Sequence, residues 1–410
     1  MSGAAHDHEK MKPSTVATPV VPLAAITGSL LLGGASTFLL NLSKAFARRG
    51  HLLPIVVLSE VNEHAADFAR VGNPVQCIPA SKLIYEDRLE RGYRELARHA
   101  PRAVLSCLGG ESFEVLRLLP PGVARLGIIQ SHEPGPYQLA RVYPPHLDAM
   151  IGVSREIEHH LRLMPEMERV RVEYIPYGID FNTAPPVRVF DGLQPLRVIY
   201  LGRLIEEQKR VSRLVELVRR VEQAGQPVEF TFAGGGPDEA GLRAQCAGAQ
   251  NVRFTGAVSN DQARGLLAEH DVFVLLSDYE GLPVSLLEAM GQGLVPVVSD
   301  LASGMREVVV DDCGFRVSVG DVTRAAEIIS MLARERWRLR PLADRALTLA
   351  RADYNADRMA ERYLKLVSES GKLGASWPER IEVPVPYGMR PWLYRGLMRR
   401  VRRRLKPLLR

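Results

Sequence analysis

Residues 272–298 read VFVLLSDYEGLPVSLLEAMGQGLVPVV, and this stretch decides the fold. An apolar run comes first, a polar turn and a segment with helical spacing follow, and the apolar run VPVV ends it. Apolar strands without polar alternation, separated by a helix, are typical of a parallel sheet that helices cover on both faces. Pro283 is predicted to be the first helical residue, a position that proline favours because no intrahelical partner awaits its N–H there.

The turn between strand and helix is bracketed by two carboxylates, Glu280 and Glu288. The first turn of a helix presents unpaired N–H groups and a partial positive charge, so it favours an anion such as a diphosphate. Carboxylates on either side of that anion can accept hydrogen bonds from hydroxyl groups. The pattern therefore indicates a nucleotide sugar. The predicted binding residues of this turn are Gly281, Leu282, Pro283, Val284 and Glu288.

The same alternation of apolar strands and helices runs along most of the chain, in two rounds. The first round predicts a helix over 36–49 and strands at 23–27, 53–58, 102–108, 124–130 and 149–153. The second predicts strands at 197–201, 229–233, 252–255, 272–276 and 295–299, and helices at 213–225, 262–269 and 323–350. The expected fold class is α/β, with two Rossmann-like, doubly wound parallel-sheet domains facing a cleft, where such sheets bind ligands.

Domain limits follow from a proline-containing connector at 183–195 and from the composition of the two ends. We expect a disordered polar segment at 1–19, a first domain at 20–185 and a second domain at 190–367. A last helix at 357–367 is expected to close the second domain, and a linker and basic tail fill 371–410. The apolar segment 20–32 is interrupted by Pro22 and by glycines, so it is interpreted as a buried strand and a turn rather than as a signal peptide or membrane span.

Charge and cysteine usage exclude several classes of protein. The net charge is +6, but residues 391–410 hold eight basic residues and no acid, so the rest of the chain is near neutral and does not resemble a nucleic-acid-binding body. The four cysteines are scattered without a C-x-x-C pair, which argues against a zinc ribbon or a disulfide-based fold and fits a reducing cytoplasm. No D-x-D, HExxH or G-x-S-x-G pattern occurs.

Two cations follow the first strand of the second domain, in the run GRLIEEQKR at 202–210. Arg203 offers a planar guanidinium and Lys209 a compact ammonium, and both can converge on one anion just past a strand end. Each charge-assisted hydrogen bond contributes about 1.5–3 kcal/mol, so the pair could hold a diphosphate without a metal. The alternative is a solvated charged loop. The presence of Glu280 and Glu288 in the same domain favours the binding site over this alternative.

Two further features follow strand ends in the first domain. Gly33 and Gly34 lack side chains where the first strand meets its helix, so the backbone there could approach a ligand closely. His132 follows a predicted strand, where it could donate a hydrogen bond to a sugar across the cleft; the alternative is a loop histidine bonded to backbone. The glycine turn at 234–236 could line the nucleotide or be a plain turn.

Together these residues resemble the retaining glycosyltransferases of the GT-B fold, family 4. The similarity covers about residues 22–367 in order. It rests on EGLPVSLLEAM at 280–290 for the family's E-x7-E signature, GRL…K at 202–209, GSLLLGGAS at 28–36, IPYGID at 175–180 and NVRFTG at 251–256.

The resemblance implies roles for single residues. Arg203 and Lys209 would neutralise the donor diphosphate, Glu288 would bind the ribose hydroxyls, and Glu280 the donor sugar. His132 would reach that sugar from the opposite domain, and Gly33 and Gly34 would let the backbone approach the phosphate. Similar enzymes transfer a sugar with retention, without a metal or another cofactor, by a front-face route in which the leaving phosphate takes the acceptor's proton. Departures from the family pattern occur at Tyr177, Gly235 and Ser36, outside the catalytic set.

The C-terminal tail has a character of its own. Trp392 and Tyr394 precede apolar residues spaced by four, namely Leu393, Leu397, Val401 and Leu405, with arginines between them. A cationic amphipathic helix of this kind is typical of contact with anionic lipid. A helix packed on the protein body and a solvated end are the alternatives. The prediction is a cytoplasmic protein, peripheral on the inner face of the membrane.

The sequence thus predicts a glycosyltransferase acting on a nucleoside-diphosphate sugar and a glycan or lipid-linked acceptor, in cell-envelope or exopolysaccharide synthesis. Two alternatives stay open. One is a catalytically silent relative that acts as a partner subunit, and the other is a nucleotide-sugar epimerase on the same architecture.

Overall fold

The chain folds around two parallel β-sheets, as the α/β prediction required. The computed structural model describes residues 21–107, 109–181, 184–370, 375–385 and 400–402. The predicted disordered segment at 1–19 lies outside the described residues, and so does most of the predicted tail at 391–410.

The first sheet has seven parallel strands in the order β3-β2-β1-β4-β5-β6-β7. Its strands are β1 Leu23–Thr27, β2 Ile55–Val57, β3 Val75–Cys77, β4 Ala103–Ser106, β5 Ala124–Ile129, β6 Ala149–Gly152 and β7 Arg171–Tyr174. Its helices are α1 Gly34–Arg48, α2 Ala65–Val71, α3 Tyr85–His99, α4 Gly110–Leu116, α5 Pro134–Val142 and α6 Arg155–Leu163. β1 is fully buried, which explains its uniformly apolar sequence.

The second sheet has six strands in the order β10-β9-β8-β11-β12-β13. Its strands are β8 Leu196–Leu201, β9 Val228–Ala233, β10 Val252–Gly256, β11 Val272–Leu275, β12 Val295–Ser299 and β13 Phe315–Val317. Its helices are α7 Glu206–Lys209, α8 Ser212–Gln223, α9 Glu239–Gln245, α10 Asn260–Glu269, α11 Val284–Gly291, α12 Gly304–Val308, α13 Val322–Arg334, α14 Leu339–Asp353 and α15 Ala356–Ser370. In both sheets the strand order reverses beside the first strand, the point where doubly wound folds bind ligands.

The last helix, α15, packs on α1 of the first domain. Arg48 and Arg49 at the end of α1 both pair with Asp357, and Arg49 also reaches Glu361 at 2.8 Å. Backbone hydrogen bonds tie the start of α15 to Ile179, which donates to the Tyr354 carbonyl at 2.8 Å. The chain therefore crosses back after the second sheet and fastens the two domains at their junction.

Residues 375–385 continue along the first domain. The Tyr93 hydroxyl donates to the Pro378 carbonyl at 2.9 Å, and the rings of Tyr93 and Trp377 lie 5.4 Å apart. None of the helices in the described ranges is both long and apolar enough to cross a membrane.

Three sequence predictions are corrected by the structure. Pro283 is the N-cap residue of α11, not its first helical residue, because its ψ of 120° is extended. The helical run predicted over 323–350 is two helices separated by a turn of 3₁₀ helix at Arg336–Arg338. The predicted first helix begins two residues early, at Gly34, with Gly33 as its N-cap.

Candidate functional site

The predicted donor-site residues lie at the carboxyl ends of neighbouring strands. Lys209 ends the short helix α7, which follows β8, and Glu280 lies in the loop after β11. β8 pairs with β11 in the centre of the second sheet. Loops that leave adjacent parallel strands emerge at the same edge, so the fold itself brings these two loops together.

Lys209 and Glu280 are in direct contact. The Lys209 Nζ lies 2.5 Å from Glu280 Oε1, and their side chains are only 15% and 6% exposed. Gln208 supports the pair, because its side-chain amide donates to the Tyr279 carbonyl at 3.1 Å. A buried charge pair is stable only when its remaining hydrogen-bonding capacity is met, and a bound ligand's oxygens and hydroxyls suit that need.

A second clamp holds the same two loops, and sequence reasoning missed it. Asp278 donates its backbone N–H to the Gln208 carbonyl at 3.0 Å, and its carboxylate pairs with Arg210 and Arg213, the latter at 2.7 Å. Burial alone would raise the pKa of Asp278, but hydrogen bonds from the two arginines hold that pKa below its usual value. The sequence offered one sign of this contact: Asp278 lies two residues before Glu280, and basic residues, Arg210 and Arg213, follow the other loop.

Arg203, by contrast, is exposed, and within the described part of the chain it makes no ion pair. Its backbone is fixed, since its carbonyl accepts from the Tyr200 hydroxyl at 2.8 Å. The loop also packs on the glycine turn after β9. A Cβ on Gly234 would overlap the Gly202 carbonyl, and one on Gly236 would overlap that of Leu204. The glycine turn therefore supports the backbone of the Arg203 loop, while the Arg203 side chain stays exposed.

The N-terminus of α11 offers three backbone donors. The first intrahelical bond runs from the Leu287 N–H to the Pro283 carbonyl at 3.3 Å, so no backbone bond within the helix engages Val284, Ser285 or Leu286. The described residues provide no other acceptor for these three N–H groups. They lie at the positive end of the helix dipole, where an anion is stabilised.

Glu288 lies one turn further along α11 and is half-buried. Burial raises the pKa of its carboxyl to about 7, although the positive charges of Arg264 and Lys44 act to lower that pKa. Among the described residues its carboxylate has no hydrogen-bond or ion-pair partner. A desolvated carboxyl without a partner is the type of group that is found at functional sites.

The two domains meet at this turn. A Cβ on Gly281 would overlap the carbonyl of Gln130 and lie 3.2 Å from the Ser131 Cα, both in the loop after β5. Gly34 faces the second domain, since a Cβ there would lie 3.4 Å from the Val284 Cγ2. Gly33 has a φ of 155°, which side chains rarely allow. The predicted glycines of the first domain and the predicted turn of the second therefore line the same narrow gap.

His132 follows this contact by one residue, at the end of the β5 loop. Its Nδ1 lies 2.8 Å from the Tyr137 hydroxyl. Burial and the neighbouring His160 lower its pKa, with Glu156 opposing them. His132 therefore lies on the first-domain side of the gap, near the loop of Glu280. Within the described residues, no group of three or more His, Cys, Asp or Glu side chains could hold a metal ion.

The fold has known counterparts. The structure of TarM from S. aureus, in complex with fondaparinux, α-GlcNAc-glycerol and UDP, superimposes with a TM-score of 0.72 at 12% identity, over 85% of this chain and all of TarM. The fold is GT-B. At this identity the likeness concerns the fold alone.

Sequence comparisons add a domain assignment. Residues 195–335 match the family model of the glycosyl transferases group 1. The amylovoran biosynthesis glycosyltransferase AmsK of Erwinia amylovora is 30% identical over 223 residues, which are 51% of this chain and 53% of AmsK. The chain thus spans about half the length of AmsK. A phosphatidyl-myo-inositol mannosyltransferase of Mycobacterium tuberculosis is 26% identical over 70% of this chain and 79% of its own length.

Proposed function

We propose that this protein is a glycosyltransferase that moves a sugar from a nucleoside-diphosphate sugar to a glycan or lipid-linked acceptor. One observation carries the proposal: the buried Lys209–Glu280 pair lies in the interdomain gap of a GT-B fold, within the segment that matches the group 1 glycosyltransferases. Arg203 and the first N–H groups of α11, for which the described residues offer no partner, complete a set of donors suited to a diphosphate.

The chemistry follows from where negative charge develops. As the bond between the anomeric carbon and the phosphate oxygen breaks, charge grows on the leaving diphosphate. Cations and dipoles placed there beforehand, here Arg203, Lys209 and the start of α11, stabilise the transition state more than the ground state. The acceptor oxygen forms the new bond to the anomeric carbon, and its proton passes to the leaving phosphate.

Two finer properties belong to the proposal: retention of the anomeric configuration and independence of metal ions. Retention is consistent with a front-face route in which the phosphate itself accepts the proton, so that no protein nucleophile is needed. The anomeric configuration of the product, followed by NMR during turnover, tests the first property. Rates with EDTA and with added Mg²⁺ test the second, and an EDTA-sensitive rate that Mg²⁺ restores would contradict it.

Donor binding is the first experiment. Thermal unfolding is measured with UDP, GDP and ADP and with their sugar conjugates. A ligand at a hundred times its dissociation constant adds about 2.7 kcal/mol of stability. We expect one base to give a shift that Lys209→Met abolishes and that Lys365→Met, an exposed control on α15, leaves intact. No shift with any nucleotide would contradict the proposal.

The identity of the product separates the reaction from its alternatives. A glycosyltransferase consumes the donor only as acceptor is glycosylated or water attacks, and it releases free nucleoside diphosphate. An isomeric nucleotide sugar formed without acceptor would identify an epimerase instead. AmsK is named for amylovoran biosynthesis and the mycobacterial relative for mannosyl transfer to phosphatidyl-myo-inositol, so bacterial exopolysaccharide fragments and inositol lipids are the first acceptors to screen.

We also propose that the protein, cytoplasmic and peripheral, contacts the anionic inner face of a membrane through 391–410. Each basic residue near such a surface contributes about 1 kcal/mol. In the described part of this segment, Arg402 pairs with Glu86 on α3, whose side chain is 2% exposed. Sedimentation with phosphatidylcholine vesicles, with and without phosphatidylserine, tests the proposal. Deleting 388–410 should abolish binding to the anionic vesicles, while Arg402→Gln should weaken it only slightly; equal binding by the truncated protein would contradict it.

A further inference from the structure

The environment of His132 shows how its ring is held. Tyr137 lies in the first turn of α5, and helical side chains lean toward the N-terminus of their helix, so its ring reaches back to the preceding loop. The Tyr137 hydroxyl lies 2.8 Å from His132 Nδ1, and the two rings are perpendicular, at 89°. Tyr137 is 5% exposed, so the residue as a whole has little access to water.

A third ring fixes the tyrosine. His160 on α6 packs on Tyr137 with ring centroids 4.3 Å apart, and it lies 5.7 Å from His132. Tyr137 is thus held between the loop after β5 and helix α6. The hydroxyl position is therefore determined by packing on both sides, and with it the orientation of the His132 ring.

The protonation pattern of His132 follows from hydrogen-bond chemistry. A neutral imidazole has one N–H and one lone pair, and the partner of one nitrogen determines which nitrogen keeps the hydrogen. A phenol is a better donor than acceptor, and an imidazole nitrogen is a strong acceptor. Burial raises the pKa of Tyr137, which keeps its hydroxyl protonated, and it lowers the pKa of His132, which keeps the ring neutral at neutral pH.

We propose that Tyr137 is a positioning residue that donates its hydroxyl hydrogen to His132 Nδ1, so that His132 carries its own hydrogen on Nε2 and presents it to the donor sugar. The contact of His132 with a donor sugar rests on the proposed function. The position of the hydrogen on the His132 ring does not depend on it. The loop contact of Gly281 with Gln130 and Ser131 places His132 beside the turn that carries Glu280. The Nε2–H of His132 on one side and the carboxylate of Glu280 on the other would then bind hydroxyl groups of the same sugar.

The tautomer can be observed without any substrate. In protein labelled with ¹⁵N-histidine, two-bond correlation spectra at pH 7.5 distinguish Nε2–H from Nδ1–H rings, and the His132→Gln variant assigns the resonance. We expect the Nε2–H form in the wild type and a mixture of both forms in Tyr137→Phe. An Nδ1–H ring in the wild type overturns the proposal, and so does an unchanged tautomer in Tyr137→Phe.

Kinetics test the consequence for catalysis. Tyr137→Phe should lower kcat about tenfold, the effect of one lost hydrogen bond, with the donor KM within twofold. His132→Gln, whose amide nitrogen can replace Nε2, should keep more activity than His132→Asn. Tyr143→Phe removes another buried hydroxyl, bonded to Glu114 at 2.8 Å, and serves as the control. Equal kcat in Tyr137→Phe and the wild type refutes the positioning role, whereas a protein without transferase activity but with the expected tautomer refutes only the proposed function.

Discussion

Replacing Glu288 by glutamine should make the protein more stable at pH 8 but not at pH 4. The carboxyl of Glu288 has a pKa raised from 4.5 to about 7 by burial. Between these two values the folded protein keeps a proton that the unfolded chain has released. The free energy of unfolding therefore falls as pH rises through this window, and the stabilisation that this group provides below pH 4.5 is lost above pH 7.

The size of the effect follows from the same shift. One pKa unit corresponds to about 1.4 kcal/mol, so the full difference is an upper bound of about 3 kcal/mol, reduced by whatever water reaches this half-buried side chain. Glu288→Gln has the same shape as the protonated acid and no titration. Its stability should match the wild type at pH 4 and exceed it by up to that amount at pH 8.

Urea unfolding followed by circular dichroism at pH 4, 5, 6, 7 and 8 measures the difference. Glu216→Gln, at an exposed glutamate that pairs with Arg220 at 2.6 Å, is the matched control and should show no comparable slope. If the curves of Glu288→Gln and the wild type run parallel over this range, the burial argument for Glu288 is wrong, and with it the inference that a ligand's hydroxyls meet a desolvated carboxylate.

Three further perturbations have definite expected outcomes. Lys209→Ala leaves the buried carboxylate of Glu280 unpaired, so it should destabilise the protein by about 3–5 kcal/mol in urea titrations, whereas a loss below 1 kcal/mol would mean that the pair is solvated. Gly281→Ala forces the domains apart at their contact and should lower kcat and enlarge the radius of gyration in small-angle scattering; Gly265→Ala, whose Cβ would meet nothing within 4 Å, should do neither. Trp377→Ala removes the ring that packs on Tyr93 of the first domain and should lower the midpoint of thermal unfolding, by an amount equivalent to about 1–3 kcal/mol; an unchanged midpoint would show that residues 375–385 are not held there.

The central strands were predictable because they are buried on both faces. The strands β1 and β12 match their predicted limits, and their sequences LAAIT and VPVVS contain no charged residue. Three short strands were missed, β3, β7 and β13, all at sheet edges. An edge strand has one neighbour and partial exposure, as the mixed sequence RVEY of β7 shows, so periodicity gives little signal there.

For the candidate site, the sequence suggested a set of residues but could not give the contacts between them. The sequence shows that Lys209 and Glu280 follow two different strands. Only the strand order of the sheet shows that these strands, β8 and β11, are neighbours. The clamp of Asp278 on Arg210 and the bond between Tyr137 and His132 depend on side-chain direction, which spacing along the chain does not give. The position of Pro283 was predicted one residue off, because φ is fixed by the ring while ψ is not.

Gly34 and Val284 meet where the two domains come into contact. Each residue begins a helix, so the positive ends of α1 and α11 face each other across the gap. Like partial charges repel, so two helix N-termini placed side by side disfavour each other unless an anion lies between them. A diphosphate bound between them, as the proposed function requires, would be attracted to both helix ends. If the proposed function holds, a more highly charged nucleotide should therefore bridge the two helix ends more strongly than a neutral sugar.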